Sequence, residues 1–238
     1  MSELTGTTEG PADPTPATVH AGAPDQEPLP LPLDTTAALV GEYRWIETTL
    51  YRVLGEWAAD MPLAAVTVHL DAQSMRHAWH ADLWADRLPV RSGVDPDALT
   101  VPSAPTAALF AALAGELLPS DLPGSSWPPA DEGYGRPGAL PRLAGLYRVL
   151  LPRLVTTYER HLGATAAAAD GPVARALRLV LNDEIEDWRA GERLVEHLVT
   201  RPHDVAAVYE FLERLESAVV GAGAGSGLVN LPVSVPGG

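Results

Sequence analysis

Apolar residues recur at alternating steps of three and four from about residue 34 to about residue 220, and no stretch alternates apolar with polar positions. The pattern predicts an all-α protein without a sheet. A first helix from about Asp34 to Ala59 carries the stripe Leu39, Tyr43, Ile46, Leu50, Val53 and Trp57. A second starts near Pro62 and ends before Pro89, with Leu63, Val66, Leu70, Gln73, His77, His80 and Trp84 inward. A short helix, Thr106 to Leu118, follows. The stretch Pro119 to Pro141 is dense in Pro and Gly and reads as a crossover along the bundle. A third long helix, Leu140 to Leu162, has Pro152 inside it, where a kink is expected. A fourth begins at Pro172, and a last one, Asp204 to Val220, packs outside on Val208, Phe211, Leu212 and Leu215.

The fourth helix carries the most informative pattern. Its inward stripe runs Val173, Leu177, Val180, Glu184, Asp187, Gly191, Leu194 and Leu198, so two carboxylates point into the core. An ionised carboxylate buried without a partner costs several kcal/mol or more, so a cation, a metal ion or donors from a facing helix must meet it. The second helix offers His77 and His80, one turn apart on its own stripe, with Gln73 on the same line and His69 beside it. Two inward imidazoles at that spacing can share one ion. Glu47 lies 15 residues before Pro62 and His77 lies 15 after it, so a hairpin turning there sets them at one level. Glu42 is the alternative acid, set higher, towards His80 and Asp82.

The ends behave differently. Residues 1–33, acidic and rich in Pro, Thr and Gly, have no period and read as a disordered arm; 34–220 is the bundle domain; 221–238 is a Gly-rich flexible tail, read as a loose end with docking of its short LVNLPVSV piece as the alternative. Composition narrows the chemistry further. There is no cysteine, so disulfides and thiolate ligands are excluded, and all 16 basic residues are arginine, so lysine chemistry is too. A net charge of −15 argues against nucleic acid or an anionic membrane as partner. With no leader-like or spanning apolar segment, the expected location is the cytoplasm. A homodimer through an apolar helix face is compatible with the pattern.

The words around these positions, QSMRHA on the second helix and DEIEDWRAG on the fourth, resemble the ferritin-like di-iron carboxylate superfamily. GEYRWIETTLYRVLGEW and RHAWHADLWADRLP are similar to a group of ferritin-like proteins of high-GC bacteria whose reaction is not settled. The resemblance implies a ferritin-like four-helix bundle with a long crossover and an additional C-terminal helix. It assigns His77 to the family's helix 2 histidine, Glu184 to its helix 4 glutamate, and Glu47 or Glu42 to its helix 1 glutamate. Ser74 stands where the family has a bridging glutamate, Asp187 where it has a histidine, and the third helix has no acid at the expected level.

The expected ligand set is Glu47, His77, His80, Glu184 and Asp187, a mixed nitrogen and oxygen site suited to Fe, Mn or Zn. With iron, an oxidoreductase acting on a small apolar or aromatic substrate held against Trp45, Trp79, Trp84 and Trp188 would follow, with Trp127 as a lid from the crossover. Two alternatives stand beside it. His77, His80, Glu184 and Asp187, with Arg76, could form a metal-free structural network, or His77 and Glu184 could act as acid and base of a metal-independent enzyme or binding protein.

Overall fold

The computed structural model describes residues 29–90, 93, 95–114, 138–166 and 169–232. All regular structure among them is helical: α1 (Leu33–Asp60), α2 (Ala64–Ala85), a 3-10 turn (Pro96–Leu99), α3 (Ala104–Ala114), α4 (Ala139–Gly145), a π-helical turn (Leu146–Leu150), α5 (Leu151–Ala164), α6 (Gly171–Leu198) and α7 (Pro202–Gly221). None of these helices is long and apolar enough to cross a membrane. Trp127, most of the predicted crossover and the arm up to residue 28 lie outside the described residues.

Short connections fold α1 onto α2 and α5 onto α6, and α2 packs against α6 between the two pairs. The shared core is apolar and aromatic, with Tyr43, Ile46, Leu50, Leu70, Trp84, Tyr147, Leu150, Leu154, Tyr158, Leu177 and Val180 all fully buried. Helix starts follow proline chemistry: Pro172 and Pro202 sit in the first turns of α6 and α7, where the missing N–H costs nothing. On the outside, α7 lays Val208, Leu215 and Val219 against α3 and α4. Gly145 makes that approach feasible, since a Cβ there would stand 2.5 Å from a Leu215 methyl and 2.8 Å from the Phe211 ring.

The third rod does not simply kink at Pro152. Its preceding turn widens, and the Leu151 N–H bonds to the Leu146 carbonyl, five residues back. Proline offers no N–H to the Arg148 carbonyl and its ring would crowd that oxygen; a π turn relieves both problems without breaking the rod.

Of the two readings of the tail, the docking of the LVNLPVSV piece is the one observed, through residue 231. Leu228 and Val229 are buried, and their N–H groups donate to Thr157 Oγ1 at 2.8 and 3.2 Å. Arg153 donates to the carbonyls of Gly225 and Gly227, at 2.8 and 3.1 Å. Glycine-rich sequence carries no period, so the short apolar piece at Leu228 and Val229 marks the docking segment while the partners on α5 are not encoded in the tail.

Candidate metal centre

Four of the five expected ligands converge. His77 Nδ1 lies 2.6 Å from Glu47 Oε2 and 3.3 Å from Glu184 Oε1; His80 Nδ1 lies 3.4 Å from Glu47 Oε2 and 3.3 Å from Glu184 Oε1. One donor atom from each residue falls within 4.8 Å of all the others, and all four side chains are fully buried. The hairpin of α1 and α2 sets Glu47 and His77 level, as their equal distances from Pro62 require. The α6 stripe then brings Glu184 across to the same point.

Both Glu184 oxygens and His80 Nδ1 are buried and lack a hydrogen bond among the described residues, although charged neighbours lie 3.3 to 3.4 Å away. These atoms point at a shared centre rather than along one another's bonds. Donors held 2.0–2.2 Å from one ion in a tetrahedron are separated by about 3.3–3.6 Å. Three of the four contacts match that edge, and the fourth, His77 to Glu47, is a direct hydrogen bond. Two imidazoles and two carboxylates also make a neutral complex with a divalent cation. The donor set fits a metal ion.

Surrounding groups orient the ligands. Asp183 Oδ2 lies 3.2 Å from His80 Nε2, so the ring is held at its outer nitrogen while the inner one faces the centre. This is the carboxylate–histidine pairing that backs many metal ligands. Tyr158 donates to Glu47 Oε1 at 2.6 Å. The rings of Tyr43, Tyr158 and Trp84 pack on one another with centroids 4.9 to 5.8 Å apart and wall off that side.

The electrostatics follow. Burial raises the Glu47 carboxyl, but His80 and His77 outweigh it and bring the pKa down to about 2. Burial lowers His80, but Glu47 and Glu184 carry it up to about 11. His77 is raised against the effect of burial by Glu184 and Glu47. Burial dominates at Glu184 and raises it. Without metal, the cluster is a set of protons shared between two imidazoles and two carboxylates.

Asp187 stands apart from the cluster. Arg76 clamps both its oxygens, through Nε to Oδ2 at 2.8 Å and through a second, very short bond to Oδ1. An acid already held by a guanidinium is not an open ligand, so the expected fifth position is corrected to an ion pair. Glu42 is also elsewhere: its Oε1 accepts from Ser103 N–H, Ser103 Oγ and Thr106 Oγ1 at the start of α3, where a carboxylate favours the helix N-terminus. The third rod supplies Tyr158 in place of an acid.

The four tryptophans have separate surroundings: Trp84 is buried beside Tyr43, Trp45 packs edge-on to Phe110, Trp79 is 46% exposed with its ring 5.5 Å from that of His80, and Trp188 packs partly buried against the core. Trp79 and Trp84, five residues apart, are about 140° apart around α2. Asp183 was missed because it sits one helical step off the stripe, half-buried. A carboxylate immediately before an inward glutamate, on the side facing the histidine helix, was the available signal.

Compared with protein-family models, with curated proteins and with solved structures, the chain matches none.

Proposed function

We propose that this is a ferritin-like bundle protein that holds one divalent transition-metal ion, Fe, Mn or Zn, between Glu47, His77, His80 and Glu184, and uses it in oxidoreductase chemistry. The observation that carries the reading is the convergence of four buried donor atoms within 4.8 Å, one of whose histidines is backed by a carboxylate. Two antiparallel helix pairs that supply the donors from α1, α2 and α6 support the ferritin-like part. A bound ion would supply Lewis acidity and, as iron or manganese, one-electron redox chemistry.

The chain's own residues set the conditions for that chemistry. Tyr158 fixes Glu47, Asp183 fixes His80, and Tyr43, Tyr158 and Trp84 exclude bulk water from the Glu47 side. Because all four ligands are fully buried, the substrate is a molecule small enough to reach an enclosed centre.

Elemental analysis of the protein purified from cells supplied with Fe, Mn and Zn tests the proposal, repeated on His77→Ala and Glu184→Ala. About one metal per chain in the wild type and none in either variant is expected. Wild-type protein free of metal after each supplement overturns it and favours a second reading, a structural network. That reading rests on the 2.6 Å His77–Glu47 bond and the Arg76–Asp187 clamp.

A further inference from the structure

The back of α2, turned away from the core stripe that holds His77 and His80, carries a second apolar row. Val68, Ala72, Met75 and Trp79 follow one another at steps of four, three and four, the spacing of a coiled-coil seam. All four are exposed, Val68 at 69% and Met75 at 60%. An outward helix face normally carries charge. This chain has 31 acids and 16 arginines to supply it, yet the row has none. The outer side of α7 also shows Val205, Tyr209 and Val220, but Glu213 and Glu216 interrupt it. The α2 row has no such break.

The row is complementary to itself when two copies run antiparallel. About a two-fold axis at the level between Gln73 and Ser74, Val68 faces Trp79 of the second copy and Ala72 faces its Met75. Each layer then sets a smaller side chain against a larger one. Charge selects the direction. Asp82 and Asp86 continue the row, and in a parallel pair each would face its own copy. In the antiparallel pair Asp82 stands opposite Ala65 and Asp86 opposite Met61, and the two Asp82 residues are about 25 Å apart along the axis, well beyond the Debye length. Arg76, on one flank, is already neutralised by Asp187.

The area is sufficient for a pair. Tyr51 of α1, 42% exposed, is fixed beside the axis by the bond from Ser74 Oγ to its carbonyl at 2.7 Å, so α1 adds apolar surface at the same level. With Tyr51, the row exposes on the order of 500 Å² per chain, and the resulting total of about 1,000 Å² between two copies is the lower end of what a specific interface buries.

We propose that two copies of this chain associate antiparallel through α2, along Val68, Ala72, Met75 and Trp79. The pair is reversible and of micromolar order, because its area lies at the small end of the range. It joins the chains at the helix that carries His77 and His80, and Trp79, whose ring lies 5.5 Å from that of His80, is the seam residue next to the centre. No metal is required for it, so its failure and that of the metal reading are distinct.

The test is sedimentation equilibrium of the full-length chain over a concentration series. A monomer–dimer equilibrium is expected, weakened at least tenfold in Met75→Glu and in Val68→Glu with helicity unchanged. Both sites are exposed, and either variant serves if the other folds poorly. The chain has no cysteine, so single replacements report the direction of pairing. A short bis-maleimide should join Ala72→Cys, next to the axis, to its own copy and should leave Asp82→Cys unjoined. A chain that stays monomeric at millimolar concentration, a dimer that both glutamate variants leave intact, or cross-linking through Asp82→Cys overturns the proposal.

Discussion

Asp183 and His80 are joined at the outer edge of the imidazole, Oδ2 to Nε2 at 3.2 Å, while the next residue, Glu184, approaches the same ring at Nδ1 from 3.3 Å. Two consecutive acids of α6 thus address opposite sides of one ring. Only the second is within reach of the centre.

Asp183→Ala therefore leaves all four ligands in place and removes only the group that orients His80. Metal affinity is expected to fall about 10- to 100-fold, read by competition with a chelator of known affinity. Unchanged affinity would mean that the packing of α2 alone sets the ring.

Tyr158→Phe deletes the donor to Glu47 Oε1 and leaves a buried carboxylate oxygen short of a partner. A loss of about 1–3 kcal/mol is expected in the metal-free protein, measured by urea denaturation. A smaller effect would show that another donor has replaced the hydroxyl.

Gly191 sits on the inward stripe of α6 because Tyr147 occupies the place of its side chain: a Cβ would come within 2.0 Å of the ring. Gly191→Ala must displace Tyr147 and its bond to Gln73. The expected cost is about 1–3 kcal/mol, and Tyr147→Leu in the same background should recover part of it.

His161, fully enclosed beside Tyr43, gives the fold an acid sensitivity. Burial lowers its pKa to about 4, with Asp170 opposing, whereas an unfolded histidine takes its proton near 6.5. Between those values the unfolded chain binds the extra proton, so stability rises with pH from about 4 to about 6.5 and is lost as pH falls through that window. The loss is up to about 3 kcal/mol. Glu47, lowered to about 2, acts mainly below that window and the raised pKa of His80 above it, while within it the lowered His69 adds to the slope and the raised Glu184 opposes it. The difference between urea midpoints at pH 4.5 and 7 should shrink in His161→Phe; an unchanged difference would refute the assignment.

The helical stripes made direction legible but not partnership. That His77, His80 and Glu184 face inward follows from spacing alone, and their level with Glu47 follows from counting out from Pro62. Asp187 shares the same stripe, yet Arg76, one residue before His77 and pointing off its stripe, reaches it first. The choice between Glu42 and Glu47 turned on the Ser103 and Thr106 hydroxyls, which belong to a segment with no periodic link to α1. Asp183 and Tyr158 act through single hydrogen bonds, and a hydrophobic period does not encode such bonds.

The widened turn at Leu146–Leu150 adds the equivalent of one residue to the third rod, and so offsets its two halves by about 100°. In uniform α winding Tyr147 and Tyr158, eleven positions apart, would share nearly one azimuth. With the offset, one faces Gln73 on α2 and the other Glu47 on α1. Excising one residue there would straighten the winding and force a choice between the two phenols, so this local irregularity sets the phase of the rod.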